Sequence, residues 1–126
     1  MTIVLVDDSA ALRERIKTML SELPGVVITG EAADVGEAIE VIQARKPDVV
    51  ILDIHMPGGS GVDVLRAVKR ERPATVVMML TNYASPPYRN VCFRAGADHF
   101  FDKFAEHDRL MATVGKLSQR LLSGQP

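Results

Sequence analysis

IVLVDD, at residues 3–8, is an apolar run that ends directly in two carboxylates. VVILD, at residues 49–53, has the same design and ends in Asp53. Short runs that are apolar on both faces are typical of central parallel strands. Because the carboxyl ends of parallel strands meet at one edge of a sheet, Asp7, Asp8 and Asp53 are predicted to lie together. Crowded carboxylates repel one another unless a cation enters, and Mg²⁺ suits such ligands together with phosphate oxygens.

Two further apolar runs are followed by polar residues. The run at residues 76–80 ends in Thr81, and His99-Phe100-Phe101 leads to Lys103. A hydroxyl and an ammonium at the same edge would complete a site for a divalent cation and a phosphoryl group. Asp53 is then a candidate nucleophile, because carboxylates can accept a phosphoryl group as an acyl phosphate. Catalysis of such a transfer consists mainly of positioning and charge stabilisation.

The bulk composition excludes several classes of protein. The 126 residues fit one domain, and 15 basic against 16 acidic residues leave a net charge of −1. This balance argues against a nucleic-acid footprint, which needs a basic excess. No apolar run is long enough to span a bilayer, and no signal peptide precedes the first strand pattern. The lone Cys92 excludes an internal disulfide, so a cytoplasmic location is expected.

Strand and helix patterns alternate along the whole chain. This alternation predicts an α/β domain over residues 1–122, with a five-stranded parallel sheet and five helices on both of its faces. Residues 123–126 are expected to form a short flexible tail. The strands are predicted at Thr2–Val6, 26–33, Val49–Leu52, Thr75–Leu80 and Asp98–Phe101, and a helix follows each of them.

Three local features of this pattern are specific enough to be tested. Asp34 is predicted to cap the second helix, with Glu37 three residues later as in a capping box. Residues 56–61 are predicted to be a loop, because they are rich in proline, glycine and serine. In the fourth helix, Ser85 is predicted as the N-cap before two prolines. That helix is expected to bury a stripe made of Tyr88, Val91, Cys92 and Ala95.

Together these segments resemble the receiver domain of two-component response regulators. The resemblance covers residues 2–122 and rests on Asp7-Asp8, LDIHMPG at 52–58, Leu80-Thr81 and AGAD at 95–98 with Lys103 beyond it. It implies a doubly wound, flavodoxin-like sheet with strand order 2-1-3-4-5. It further implies a phosphorelay switch that catalyses only its own magnesium-dependent aspartyl phosphorylation and dephosphorylation, and is otherwise not an enzyme.

The resemblance also assigns roles to residues. Asp53 would be the phosphoacceptor. Mg²⁺, with Mn²⁺ as a substitute, would be bound by Asp8, Asp53 and the backbone carbonyl of His55, and by Asp7 through water. Thr81 and Lys103 would contact the phosphoryl oxygens, and Phe100 would be the aromatic switch that moves with Thr81. Residues His55 and Tyr83 would tune the lifetime of the phosphoaspartate.

The implied partners are proteins. The phosphoryl donor would be a histidine kinase or a histidine phosphotransfer protein. A downstream protein, or a second copy in a homodimer, would bind the face made by Tyr88–Gly96, Asp98–Phe101 and the last helix. No nucleic acid, membrane or small-molecule substrate beyond phosphodonors is expected. Since the sequence stops after the fifth helix pattern, a stand-alone receiver without an output domain is expected.

Several residues depart from the usual family pattern. Phe104 stands where proline usually follows the lysine, and a cis bond before a non-proline residue costs about 2.5–4 kcal/mol. A trans bond and an altered loop are therefore expected. Asn82 replaces a small residue, which would narrow access to Asp53, and Pro86-Pro87 is unusual. These departures leave a second hypothesis open, a phosphorylation-independent adaptor that binds its partner constitutively.

Two other classes fit the sequence less well. An aspartate-nucleophile phosphatase needs a second carboxylate two residues after the nucleophile, and that position is His55. A flavin carrier needs a phosphate loop rich in serine, threonine and glycine after the first strand, which is absent from this sequence.

Overall fold

A computed structural model of the chain describes residues 1–82 and 84–122. These residues form seven strands and five helices, in alternating order except for one short hairpin. The bounds are β1 Thr2–Val6, α1 Ala10–Leu20, β2 Val27–Ala32, α2 Val35–Arg45, β3 Val49–Leu52, β4 His55–Met56, β5 Gly59–Ser60, α3 Gly61–Glu71, β6 Val76–Thr81, α4 Pro86–Arg94, β7 His99–Asp102 and α5 His107–Leu122.

Five of the strands form one parallel sheet with the order β2-β1-β3-β6-β7. Counted within that sheet, this is the predicted order 2-1-3-4-5. The register aligns Val6, Leu52, Met79 and Phe100 across four strands. The strands that carry the polar ends therefore finish at nearly the same level, which brings those ends to one edge.

The helices cover both faces of the sheet, as predicted. On one face, α1 and α5 pack on alternate strand residues such as Leu5, Ile51 and Phe101. On the other face, α2, α3 and α4 pack on the intervening residues, which include Val6, Leu52 and Phe100. Among the described residues, no helix has the length and apolar character needed to cross a bilayer.

Short polar side chains set the helix starts. Asp34 accepts a hydrogen bond from the Glu37 N–H at 2.8 Å, which confirms the predicted cap of α2. The Glu37 carboxylate binds the Ala33 N–H, one residue earlier than in a standard capping box. Ser85 precedes α4 without a side-chain capping bond. Pro87 removes one of the two N–H groups, those of the second and third helical residues, from which an N-cap side chain usually accepts.

The prediction of a loop at residues 56–61 was wrong in part. His55–Met56 and Gly59–Ser60 pair as a two-stranded antiparallel hairpin. Pro57 and Gly58 form its turn, and Gly58 has a φ of +86°. Proline followed by a glycine with positive φ is the chemistry of a type II turn, so the turn residues connect paired strands here.

The predicted buried stripe of α4 was also wrong in part. Cys92 is fully buried, but Tyr88 and Val91 are 38% and 42% exposed. The helix pattern was correct, but α4 packs on the sheet near its β7 edge over a narrow contact. Part of the predicted stripe is therefore exposed. The predicted tail at residues 123–126 lies outside the described residues.

Candidate functional site

The two aspartates that follow β1 and β3 are neighbours through their main chains. The Asp53 N–H donates to the Val6 carbonyl at 3.0 Å, which extends the β1–β3 pairing one step beyond the strands. The Asp7 N–H donates to the Ala32 carbonyl at 3.0 Å on the other side. Both aspartates are therefore fixed at the carboxyl edge of the sheet, where the strand order reverses between β1 and β3.

Three carboxylates converge at this point. Asp7, Asp8 and Asp53 each offer one oxygen, and these oxygens all lie within 4.8 Å of one another. Asp7 and Asp53 are each only 5% exposed, whereas Asp8 is exposed to solvent. A set made entirely of carboxylate oxygens suits a hard cation such as Mg²⁺. The open side next to Asp8 leaves room for water ligands.

Lys103 provides the positive charge of the site. Its Nζ lies 2.7 Å from Asp7 Oδ2 and 2.8 Å from Asp53 Oδ2, and the residue is 6% exposed. Burial alone would lower the pKa of this ammonium. The hydrogen bonds to Asp53 and Asp7 outweigh burial and raise the pKa above its usual value, so Lys103 stays charged.

Each of the two buried carboxylates is held at both oxygens. Asp7 Oδ1 accepts the Ser9 N–H at 2.8 Å, and Asp53 Oδ1 accepts the Ile54 N–H at 2.7 Å. The second oxygen of each binds Lys103. Burial raises the pKa of Asp7 above its usual value, although the hydrogen bonds from Lys103 and Ser9 act to lower it.

Thr81 is the last residue of β6, and Phe100 is the second residue of β7. Thr81 is fully buried, and its carbonyl accepts the Lys103 N–H at 2.8 Å. Phe100 is 4% exposed and its ring centroid lies 6.4 Å from that of Phe93 in α4. The Arg89 guanidinium lies over both rings, 5.1 Å from the Phe93 centroid and 5.9 Å from that of Phe100. Phe100 thus belongs to the core and contacts the helix that bounds the site.

His55 lies on the rim of the site. It is exposed in β4, two residues after Asp53, and its ring meets the Tyr88 ring edge-on at a centroid distance of 5.6 Å. This contact joins the hairpin to the start of α4. The metal-binding role of its backbone carbonyl stays a prediction. Tyr83, the other predicted lifetime residue, lies outside the described residues.

The replacement of proline by Phe104 does not prevent Lys103 from reaching the site. The Lys103–Phe104 bond is trans, as expected, and the Phe104 side chain points into solvent with 80% exposure. The turn that follows is closed by Asp102, whose Oδ1 accepts the N–H groups of Phe104 and Ala105 at 2.8 and 2.9 Å.

Two residues near the site were missed by sequence reasoning. Gly61, which was predicted only as part of the loop at residues 56–61, donates its N–H to the Ile54 carbonyl at 2.6 Å. A Cβ on Gly61 would lie 1.8 Å from the Asp53 carbonyl oxygen, so only glycine fits. Arg13 donates to the Asp7 carbonyl and to Glu31. The sequence signal that could have predicted the role of Arg13 is its place early in α1, just after the aspartates. The sequence contains no such signal for Gly61.

Comparison with solved structures shows the same fold repeatedly. The signal receiver domain of NarL from Mycobacterium tuberculosis is 30% identical, with a TM-score of 0.84, over 94% of this chain and 95% of that one. A CheY-like receiver domain protein from Methanospirillum hungatei is 25% identical, with a TM-score of 0.85, over 98% and 97%. The CheX–CheY–BeF₃–Mg complex of Borrelia burgdorferi, at 24% identity and a TM-score of 0.85 over 93% and 88%, shows the fold alone.

Sequence comparison identifies the family. No curated protein matches the chain. The family model of the response regulator receiver domain, however, matches residues 3–115, which is most of the chain. Both the order of the strands and the acidic edge described above agree with that match. The chain therefore belongs to the receiver domains of response regulators, which are signalling switches rather than classical enzymes.

Proposed function

We propose that this receiver domain, over residues 1–122, accepts a phosphoryl group on Asp53 from a histidine kinase or a histidine phosphotransfer protein. Phosphorylation then switches its contacts with another protein in the cytoplasm. One observation carries the proposal: Asp7, Asp8 and the Lys103 ammonium converge on Asp53 at the carboxyl edge of the sheet. In that arrangement, two negative carboxylates and one positive ammonium surround a carboxylate that is oriented for attack.

Mg²⁺ is the proposed cofactor, with Mn²⁺ as a substitute. The residues present fit it, because three carboxylates offer oxygens within 4.8 Å of one another. Asp8, Asp53 and the His55 carbonyl would hold the ion directly, and Asp7 would hold it through water. When bound, the ion would offset the negative charge that gathers on the carboxylates and on the phosphoryl oxygens.

The side chains of the site have distinct tasks in the transfer. An Asp53 carboxylate oxygen forms the new P–O bond, the P–N bond of the donor phosphohistidine breaks, and the imidazole nitrogen keeps the electron pair. The Ile54 N–H holds the other Asp53 oxygen and so fixes the plane of the carboxylate. Lys103 stays charged and moves from the carboxylates to the phosphoryl oxygens, where Thr81 donates its hydroxyl.

The proposed output is a change at the surface next to α4. Phe100 packs against Phe93, and Arg89 covers both rings, so a movement of Phe100 would disturb the exposed side of α4. Val91 and Phe93, 42% and 39% exposed, offer apolar contacts there. Phosphorylation shifts such a two-state surface only as far as it favours one state over the other. His55 and Tyr83 are proposed to set the lifetime of the phosphoaspartate.

The alternative is a receiver fold that binds its partner constitutively. Phe104 motivated it, because the usual proline is missing. The contacts of Lys103 with Asp7 and Asp53 argue against it, since this charge arrangement serves no purpose in a passive adaptor.

The test is phosphorylation of the purified chain with Mg²⁺ and acetyl phosphate, followed by intact-mass spectrometry. We expect the mass of one added phosphoryl group on the wild type and on Asp63→Asn, an exposed aspartate of α3. We expect no such mass on Asp53→Asn. Beryllofluoride with Mg²⁺ should also shift the amide NMR signals of Thr81 and Phe100 in the wild type but not in Asp53→Asn. If Asp53→Asn responds like the wild type, the proposed function fails and the constitutive adaptor is the remaining hypothesis.

A further inference from the structure

The main chain of Lys103 is held on both sides. Its N–H donates to the Thr81 carbonyl at 2.8 Å, which ties it to the end of β6. Its carbonyl accepts a hydrogen bond from Nε2 of His107, the first residue of α5. Lys103 is therefore fixed between a strand end and a helix start, and its side chain extends from that point to Asp7 and Asp53.

The turn between β7 and α5 brings His107 into this position. The Asp102 carboxylate accepts the N–H groups of Phe104 and Ala105. Glu106 closes the turn in both directions: its Oε1 accepts the Asp102 N–H at 2.9 Å, and its own N–H donates to the Asp102 carbonyl at 3.1 Å. Four hydrogen bonds thus define a turn that contains no proline, and α5 begins immediately after it.

The hydrogen bond determines which His107 nitrogen carries the proton. The Lys103 carbonyl can only accept, so Nε2 must be the donor. His107 Nδ1 is buried and has no hydrogen-bond partner among residues 1–82 and 84–122. A proton on Nδ1 would leave a buried donor without an acceptor, which is costly. Both sides of the ring therefore favour the Nε2–H tautomer.

We propose that His107 is a positioning residue for Lys103. By holding the Lys103 carbonyl, it keeps the lysine main chain in the one arrangement from which the ammonium reaches Asp53. The Phe104 side chain is 80% exposed, so it is poorly placed to restrain the loop by packing. The inference rests on the proposed function for its consequence in phosphoryl transfer, but the contact itself can be tested separately.

The first test needs no variant and no phosphodonor. A ¹⁵N–¹H correlation spectrum of the wild-type histidine rings should show His107 as the Nε2–H tautomer, with a ring proton that exchanges slowly with water. An Nδ1–H tautomer, or a ring proton lost to rapid exchange, would overturn the proposal whether or not the protein can be phosphorylated.

The second test compares two variants of similar size. His107→Gln keeps an N–H donor near the position of Nε2, whereas His107→Met has none. With Mg²⁺ and acetyl phosphate, we expect His107→Met to lower the maximal phosphorylation rate about five- to tenfold, the factor expected for one lost hydrogen bond. The half-saturating donor concentration should not change. His107→Gln should retain most of the rate, and the control Asp108→Asn, in the same turn of α5, should match the wild type.

The outcomes separate this inference from the proposed function. If the wild type is phosphorylated and His107→Met matches it, the positioning role is refuted. The role is also refuted if Gln and Met lower the rate equally, since a structural defect would then explain both. If the wild type itself is not phosphorylated, the proposed function fails, and the ring-nitrogen spectrum alone decides whether His107 holds Lys103. If His107→Met does not fold, the ring-nitrogen spectrum of the wild type is again the deciding test.

Discussion

Gly61 lies so close to Asp53 that a Cβ atom on it would stand 1.8 Å from the Asp53 carbonyl oxygen. The two main chains meet because β3 leads into the site and α3 begins beside it, where the Gly61 N–H binds the Ile54 carbonyl. The segment that carries Asp53 is thus supported by backbone contact with the start of α3. A side chain there would have to move rigid backbone rather than a flexible group.

The first prediction concerns this contact. Gly61→Ala should lower the free energy of unfolding by about 1–3 kcal/mol, the usual cost of overpacking a tight interior. Gly36→Ala is the control, since a Cβ there meets only the Asp34 carboxylate at 3.5 Å. This control should be neutral, or more stable by roughly 0.5–1 kcal/mol because alanine favours helix. Urea unfolding measures both, and equal stability of Gly61→Ala and wild type would contradict the predicted clash.

The second prediction is that the proline usual in the family is not tolerated here without cost. Phe104→Pro removes the N–H that donates to Asp102 Oδ1 at 2.8 Å. We expect the free energy of unfolding to fall by about 1–2 kcal/mol, because the turn loses one of the two hydrogen bonds to Asp102 Oδ1.

Phe104→Ala is the matched control for that substitution. It keeps the N–H and removes a side chain that is 80% exposed, so stability should stay within about 0.5 kcal/mol of wild type. Thermal and urea unfolding compare the variants. A proline variant as stable as the alanine variant would show that the hydrogen bond from the Phe104 N–H to Asp102 contributes nothing to stability.

The third prediction concerns competition for the carboxylates. Lys103 binds one oxygen of Asp7 and one of Asp53, two of the carboxylates at which the divalent cation is proposed to bind, and its charge would repel the cation. Lys103→Met should therefore lower the Kd for Mg²⁺ about tenfold, a change of roughly 1.4 kcal/mol. Lys69→Met is the control, because that ammonium pairs with Asp98, the residue just before β7. Titration followed by NMR measures both, and an unchanged or higher Kd in Lys103→Met would refute competition.

The fourth prediction is a pH dependence of stability. The hydrogen bond from Lys17, together with that from Arg13, lowers the pKa of Glu31 below its usual value of 4.5. The unfolded chain therefore binds the Glu31 proton first as pH falls, so this stabilisation is complete above pH 4.5 and is lost as pH drops through the folded pKa. Its size should be below about 1 kcal/mol, because the Glu31 side chain is 33% exposed.

Glu31→Gln isolates this effect. The difference in unfolding free energy between wild type and Glu31→Gln should be constant near neutral pH and shrink toward zero in acid. Glu40→Gln, an exposed glutamate of α2, should show no such trend. A wild-type advantage that persists at low pH would mean that the ion pairs to Lys17 and Arg13 do not cause it.

Sequence reasoning reached most of the fold because its signals are local. The apolar runs before Asp7 and Asp53 predicted buried strands, and the Asp34 cap predicted the start of α2. Local patterns were less reliable where the burial of a residue depends on the element that packs against it. Tyr88 and Cys92 belong to one helical stripe, yet only Cys92 is buried. A helical period predicts which residues share a face, but not how much of that face the sheet covers.

The sequence by itself determined the alternation of strands and helices, the acidic strand ends and the identity of the charges that gather there, since each follows from neighbours along the chain. Only the tertiary structure decided that Lys103 reaches both Asp7 and Asp53 without a proline after it, and that His107 holds its carbonyl. It also decided that Gly61 must lack a side chain. The contacts of Lys103 with the aspartates join segments far apart in sequence, and the other two contacts depend on the path that the chain takes between nearby segments. All of them depend on how strands and helices pack rather than on any local preference.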